Sequence, residues 1–360
     1  MNIIKSNTVL FLLTLLVMSC NKQTISSYTN ITTPSPLQIP PLFESLILNP
    51  IIPPDNPQTE EGIFLGKKLF YDPILSADNS QACANCHNPA NAFTDSNRFS
   101  EGIDGLIGTR NSMPLFNLAW NYGDRFFWDG REHGLENQAF EPVTNTIEMH
   151  TTWPEVAYKL SQDPDYPQLF EAAFGIISID STLVSNAIAQ FERTLISSNS
   201  KFDAYLMGSG SLTTQEIDGF NIFMDESKGD CFHCHGNEFN PLWTNNAFHN
   251  NGLDSSFEDL GLGGFTGDPL DYGKFKSPSL RNLAYTAPYM HDGRFKTIDE
   301  VINHYSIGLQ HTSPNISPLM EFSAQGGVQL DPQEREELKA FLLMFSDPDF
   351  INDPKYRNPW

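Results

Sequence analysis

Four of the five cysteines stand in two short motifs, and a histidine follows directly after each motif's second cysteine. Two thiols about one helical turn apart can each bond to a vinyl group of a haem, and the next histidine can then ligate the iron. The two motifs therefore predict two covalently attached c-type haems. Their members are Cys83, Cys86 and His87 in the first motif, and Cys231, Cys234 and His235 in the second.

Two other uses of these cysteines compete at this point. A zinc ion could bind two cysteine pairs, but these pairs stand much further apart than those of zinc ribbons, and zinc does not explain a histidine directly after each pair. A disulfide within each pair is also possible after export, although such two-residue loops are usually redox-active rather than structural. The haem interpretation accounts for all six residues.

The N-terminus has the layout of an export signal. Residues 1–20 contain one lysine, an apolar run over 9–18 that is short for a bilayer span, and then Ser19 and Cys20. The pattern is typical of a bacterial lipoprotein signal, with Cys20 as the lipidated first residue; the alternative is an ordinary signal peptide in which Cys20 is incidental. The polar stretch that follows predicts a flexible tether over 21–52. We expect an exported, periplasmic protein that contacts the membrane only through its lipid.

Composition limits the remaining possibilities. Lys and Arg number 21 against 44 Asp and Glu, which gives a formal net charge of −23 and argues against a nucleic-acid partner. Hydrophobic residues make up 39% of the chain and aromatic residues 12%, so the chain can build a real core. Its length favours two domains.

Helical periodicity indicates similar surroundings for the two motifs. A predicted helix precedes each motif, over 60–70 and over 213–224, and Thr213 with Glu216 forms a capping box. Further helices are predicted over 181–198 and 331–346. We therefore predict an N-terminal haem domain over 53–200 and a C-terminal one over 201–350. The side chains expected to face inward are Ile63, Phe64, Lys67 and Phe70 in the first pre-motif helix, and Ile217, Phe220, Phe223 and Met224 in the second.

Several further motifs carry a family resemblance. They are residues 108–111 (GTRN), 127–131 (FWDGR), 135–138 (LENQ), 278–282 (PSLRN) and 286–293 (TAPYMHDG). In this order around both cysteine motifs, the chain resembles the bacterial di-haem cytochrome c peroxidases and MauG. The resemblance implies a mainly α fold of two tandem cytochrome-c-like haem domains, packed around an inter-haem interface that holds a calcium ion.

The resemblance also implies roles for individual residues. The first haem would be the peroxidatic one, with Gln138, Pro142 and Glu148 on its distal side. Cleavage of an O–O bond at a haem requires an open iron position and a nearby acid–base group, and Glu148 is the expected group. Trp128 would lie between the haems and relay electrons, with plain core packing as the alternative.

The same resemblance assigns the calcium ion and some polar contacts. It places calcium at Asn111, Thr286 and Pro288, where an amide oxygen and two backbone carbonyls would suit a hard cation. It also suggests that Arg281 and His291 bind haem propionates or join the inter-haem network.

Two departures from the family pattern stand out. Many di-haem peroxidases carry a histidine in the loop before the GTRN stretch, and this histidine blocks the first haem; here residues 101–108 contain none. Tyr305 stands where other members place a methionine ligand, so it is predicted to ligate the second haem opposite His235. It shares the inward stripe of a predicted helix over 297–305. His304, expected to point away, and Met290 are the alternative ligands.

Three functions remain in competition. The first is a peroxidase that reduces hydrogen peroxide with electrons from a small cytochrome c or cupredoxin, which enter through the C-terminal haem. The second is a MauG-like oxidase that uses peroxide for long-range oxidation of a protein. The third is a dihaem cytochrome that only transfers electrons, which the predicted distal residues disfavour.

Overall fold

A computed structural model of the chain describes residues 32–360. The predicted signal, the lipidation site Cys20 and the first part of the predicted tether lie outside the described residues. The described part is mainly helical, as predicted, and its four strands are only two residues long and form two antiparallel pairs. Within 32–360, no helix has both the length and the apolar character that a membrane crossing requires.

The elements follow one another along the chain with long irregular connections. The strands are β1 (Arg125–Phe126) paired with β2 (Glu132–His133), and β3 (Phe248–His249) paired with β4 (Phe275–Lys276). The α-helices are α1 (Pro41–Leu46), α2 (Glu60–Tyr71), α3 (Cys83–Cys86), α4 (Leu135–Gln138), α5 (Phe140–Thr144), α6 (Trp153–Gln162), α7 (Tyr166–Phe174), α8 (Ser181–Arg193), α9 (Lys201–Leu206), α10 (Thr214–Met224), α11 (Phe232–His235), α12 (Leu262–Thr266), α13 (Ile298–Ile307), α14 (Pro332–Leu343) and α15 (Pro348–Asn352).

Helix α2 precedes the first motif and packs closely on α8. A Cβ atom at Gly66 would lie 1.8 Å from the backbone oxygen of Ala187, so only glycine permits this approach. Leu65 and Leu69 are fully buried beside it, whereas Phe64 is 50% exposed. The inward face predicted for this helix is therefore wrong except at its C-terminal end, because the contact with α8 runs along the glycine side of the helix.

Helix α10 precedes the second motif and packs on α14 in the same manner. A Cβ atom at Gly219 would lie 2.0 Å from the backbone oxygen of Glu337. Phe223 is fully buried in this contact as predicted, but Ile217 is 42% exposed. The predicted capping box of Thr213 with Glu216 is present. Each motif is thus preceded by a helix that docks through a glycine onto a later helix, as expected for two related modules in tandem.

Both ends of the described chain pack onto the core. Helix α1 buries Phe43 against Trp120 and Leu242, so the flexible tether predicted over 21–52 is wrong for this part of the segment. At the other end, Phe350 and Tyr356 pack in an aromatic cluster of the N-terminal half. The predicted C-terminal domain over 201–350 therefore ends in a segment that returns to the other module.

Candidate active site

The second motif lines a cavity in the C-terminal half. Cys231, Cys234 and His235 face this cavity together with Tyr305. Nδ1 of His235 lies 3.2 Å from the carbonyl oxygen of Pro278. Because this oxygen can only accept a hydrogen bond, Nδ1 carries the proton of the neutral ring and Nε2 carries none. Burial lowers the pKa of His235 to about 4, so the ring is neutral at pH 7.

The first motif lines a separate cavity in the N-terminal half. Cys86 and His87 face it, and so do the three residues expected on the distal side, Gln138, Pro142 and Glu148. Nδ1 of His87 lies 2.9 Å from the carbonyl oxygen of Phe93, so this imidazole is oriented in the same way as its counterpart. The fold thus brings Cys86 and His87 to the same cavity as the residues that the sequence predicts for the distal side.

The residues of both motifs fit a covalent haem. All four cysteines are free and partly buried, and each histidine is held through Nδ1 so that Nε2 is available to an iron. Burial raises the pKa of all four thiols, contrary to what a redox-active pair requires. Since the motifs line two different cavities, they do not combine into one four-cysteine zinc site.

Glu148 is placed by a tight turn in the chain after α5. The backbone nitrogen of Glu148 donates to the carbonyl oxygen of Asn145 at 3.0 Å, and that of Met149 donates to the carbonyl oxygen of Pro142 at 3.2 Å. The Nδ2 of Asn145 also donates to Oε1 of Glu148 at 2.7 Å. Burial raises the pKa of Glu148, an effect that the hydrogen bond from Asn145 opposes. A carboxyl group fixed in a partly dry cavity can exchange a proton with a bound substrate.

The wall between the cavities consists of residues that line both of them. The Nε1 of Trp128 donates to the backbone oxygen of Asn111 at 2.8 Å, and the backbone oxygen of Trp128 accepts from the nitrogen of Lys276 at 2.9 Å. One hydrogen bond therefore holds the indole and a second holds the backbone of Trp128, between the two candidate haem sites. The residues shared by the two linings are Asn111, Pro114, Trp128 and Lys276.

Comparison with known proteins agrees with this geometry. The family model for di-haem cytochrome c peroxidases matches residues 60–211. The methylamine utilization protein MauG of Methylorubrum extorquens is 36% identical over 310 residues, which cover 84% of this chain and 83% of that protein. The chain belongs to the di-haem cytochrome c peroxidase family.

Two further relatives cover nearly the whole chain. The cytochrome-c peroxidase IdrP1 of a Pseudomonas species is 32% identical over 378 residues, 95% of this chain and 94% of that protein. A solved MauG-like protein associated with microbial copper homeostasis superimposes with a TM-score of 0.81 at 33% identity, and the match covers 90% of this chain and 99% of the other. This di-haem peroxidase is therefore an oxidoreductase that acts on peroxide with two c-type haems and a redox partner.

The three residues expected to bind calcium come together at the second cavity of this peroxidase. Asn111, Thr286 and Pro288 all line it. The Nδ2 of Asn111 donates to the carbonyl oxygens of Asn97 and Arg98 at 3.2 and 3.3 Å, which directs the amide oxygen to the opposite side. One amide oxygen and two backbone carbonyls suit calcium, with water completing the shell.

Tyr305 faces the second cavity and is held by one asparagine. The Nδ2 of Asn251 lies 2.9 Å from the phenol oxygen of Tyr305 and 3.6 Å from the sulfur of Met290, which lines the same cavity. His304 was expected to point away from the stripe that carries Tyr305, and it is not among the residues that line this cavity. It is nevertheless buried, at 5% exposure, and its Nε2 lies 3.3 Å from the backbone oxygen of Asn251.

Arg281 does not take the role suggested by the family resemblance. Its guanidinium is fully buried and bonds to both carboxylate oxygens of Asp203, at 2.8 and 2.6 Å. Its Nε donates to the carbonyl oxygen of Pro241 at 2.6 Å, so Arg281 is engaged in a structural ion pair. His291 lies at the second cavity and stacks on Phe275 with ring centroids 3.6 Å apart.

Sequence reasoning missed two polar residues at the site, Lys276 and Asn251. Lys276 is 7% exposed, its Nζ donates to the carbonyl oxygen of Arg125 at 2.6 Å, and burial lowers its pKa to about 7. The only feature of the sequence that could have indicated Lys276 as a site residue is its position two residues before the PSLRN motif. Asn251 lies in an irregular stretch and carries no local signal, because only the fold brings it to Tyr305.

Proposed function

We propose that this protein is an exported di-haem peroxidase that reduces hydrogen peroxide to water, with electrons entering through the C-terminal haem. One observation carries the proposal. Glu148, Gln138 and Pro142 line the same cavity as His87 and Cys86, although these residues come from separate parts of the chain. The expected distal set and the first haem motif therefore face one space.

The proposed chemistry assigns one task to each distal residue. A haem held by Cys83, Cys86 and His87 would supply the iron chemistry that reduces peroxide. Glu148 would take a proton from one peroxide oxygen and deliver it to the other, which would leave as water; two electrons from the donor and two protons would convert the remaining oxygen to a second water. Gln138 would orient the peroxide through its uncharged amide, and Pro142 offers no side chain that could ligate an iron.

Electrons would reach this site from the second haem, held at Cys231, Cys234 and His235. The support is the position of Trp128 in the wall between the two cavities. Asp230 directly precedes the second motif, and burial raises its pKa; the hydrogen bond and charge of His233 oppose this effect, and the charges of Glu321 and Glu226 add to it. We take these three carboxyl groups as an acidic rim beside the second motif. Such a rim would attract a small basic donor, either a cytochrome c or a cupredoxin.

Tyr305 favours a second candidate function, a MauG-like oxidase. Its phenol oxygen faces the second cavity, where we propose that it ligates the iron opposite His235. A phenolate is a hard anionic ligand that stabilises ferric iron and makes oxidation easier, so the second haem could share oxidising equivalents used on a protein substrate. The solved neighbour associated with copper homeostasis suggests a copper-handling protein as that substrate.

The remaining parts of the proposal concern organisation and location. Residues 53–200 would form the peroxidatic domain and 201–350 the electron-transfer domain, with calcium bound between them by Asn111, Thr286 and Pro288. Residues 1–20 would direct export to the periplasm, where a lipid on Cys20 would anchor the protein.

The decisive experiment is Glu148→Gln. This change keeps the shape of the side chain but removes its proton exchange, so peroxide turnover with a reduced cytochrome c should fall by roughly 10²–10⁴-fold. The haem spectra should stay unchanged. Glu336→Gln, on the exposed side of α14, is the matched control and should behave like the wild type. Turnover near the wild-type rate in Glu148→Gln would remove this residue from the mechanism.

A further inference from the structure

The loop over 101–108 packs on the backbone that carries Glu148. In this chain the loop has no histidine to offer the first haem, and it instead touches residues 147, 148 and 150 in succession. We infer that the loop is a clamp that holds Glu148 in position, with Gly102 as its principal positioning residue. This inference rests on the proposed acid–base role of Glu148.

The closest contact is made at Gly102. A Cβ atom there would lie 1.8 Å from the backbone oxygen of Ile147 and 2.8 Å from that of Glu148. Gly102 is not among the glycines with positive φ, so its backbone conformation is open to other residues. Glycine is therefore required at this position because of the neighbouring backbone, and the loop lies against it without a side chain between them.

Polar contacts extend the clamp on both sides of this point. The nitrogen of Ile103 donates to the backbone oxygen of Glu148 at 3.1 Å, and the carboxylate of Asp104 pairs with Nδ1 of His150. At the start of the loop, Nε2 of Gln81 donates to the backbone oxygen of Glu101 at 3.1 Å and lies 3.3 Å from the sulfur of Cys86. The loop thus connects the haem-attachment segment to the catalytic turn.

These contacts determine where the Glu148 carboxyl group can be. Asn145 orients the end of the side chain, but the loop fixes the backbone from which the side chain extends. A displacement of about 1 Å at a catalytic group can cost on the order of 100-fold in rate. The loop would thereby keep the acid–base group in position in the resting enzyme.

The test compares a glycine of the clamp with one outside it, in the full-length holoenzyme. Gly102→Ala should push residues 147–148 away and slow the reaction with peroxide by about 10–100-fold. Gly123→Ala is the control, because its Cβ would come no closer than 3.7 Å to Oδ1 of Asn121 and it lies outside the clamp. Haem content, the ferric EPR spectrum and both reduction potentials should be unchanged in both variants.

Two readouts separate positioning from general damage. Amide hydrogen exchange in the peptide over 145–150 should become faster in Gly102→Ala and stay at the wild-type rate in Gly123→Ala. In the Glu148→Gln background, Gly102→Ala should cause no additional loss of rate, because the two changes would act on one step. If Gly102→Ala does not fold, Asp104→Asn replaces it in the test. This variant should show a smaller loss of rate and a smaller increase in amide exchange over 145–150.

The outcomes distinguish the inference from the proposed function. Wild-type kinetics in Gly102→Ala, or an equal loss of rate in the presence and absence of Glu148, would overturn the clamp. Wild-type amide exchange over 145–150 together with a wild-type rate in Asp104→Asn would also overturn the clamp. Normal turnover in Glu148→Gln would instead refute the acid–base role itself.

Discussion

Replacing Arg281 by methionine tests whether this residue stabilises the fold or binds a haem. The Arg281 side chain is 0% exposed and the Asp203 side chain 4%, and the two share a pair of hydrogen bonds. The guanidinium also bonds to the carbonyl oxygen of Pro241, so Arg281 links α9 to the segment that contains Pro241. Methionine has a similar length but leaves Asp203 without its cation.

The expected cost follows from what remains buried. Asp203 keeps its hydrogen bonds from the backbone nitrogen and hydroxyl of Ser200, but its charge loses its counterion. Removing one partner of a buried ion pair costs about 3–5 kcal/mol of unfolding free energy. The double variant Arg281→Met with Asp203→Asn should lose less unfolding free energy than the two single variants lose together. It leaves no uncompensated charge in the interior.

The pH dependence of this cost has a definite sign. Burial alone would raise the pKa of Asp203, but the charge and hydrogen bonds of Arg281 outweigh burial and lower it. The stabilisation is therefore fully present above the unfolded carboxyl pKa of about 3.9 and is lost as pH falls through the lowered folded value. In Arg281→Met, burial raises the pKa of Asp203 without opposition from Arg281, so this carboxyl group is neutralised more easily as the pH falls. The difference in unfolding free energy between the variant and the wild type should therefore become smaller in acid.

Urea unfolding at pH 7, followed through the Soret absorption and tryptophan fluorescence, measures the effect. Arg357→Met, at an exposed position near the C-terminus, is the control and should stay within about 0.5 kcal/mol of the wild type. A loss below about 1 kcal/mol in Arg281→Met would contradict the ion-pair account. A changed haem spectrum with unchanged stability would restore the propionate role.

Three further predictions concern the haems. A pyridine haemochrome assay should find two haems per chain, and one after Cys231→Ala with Cys234→Ala; a single haem in the wild type would refute the motif assignment. The ferric protein should show one high-spin haem and react with peroxide without prior reduction, whereas an entirely low-spin EPR spectrum would show that another residue occupies the first iron. Tyr305→Met should raise the potential of the second haem, because a thioether favours ferrous iron and a phenolate favours ferric iron. If Tyr305→Phe leaves the spectrum and the potential unchanged, another residue is the ligand.

The features that the sequence predicts correctly depend on local chemistry. Haem attachment needs two thiols and a histidine within five residues, so the spacing alone carries that prediction. The cap at Thr213 satisfies backbone donors within one turn and can be predicted in the same way. The assignment of Gln138, Pro142 and Glu148 to a distal side depends instead on the order of several motifs, which the family resemblance supplied; the structure shows that these residues line the cavity of the first motif.

Tertiary structure decided everything that depends on contacts between distant segments. The inward faces of α2 and α10 follow glycines that admit another helix, whereas hydrophobic periodicity had selected Phe64 and Ile217. His304 is buried because a backbone carbonyl from another loop reaches it, and Arg281 because Asp203 lies opposite. Local patterns record which residues are apolar or charged, but not which partner meets them. The choice of partner is made by packing and by the need to satisfy buried polar groups across the whole fold.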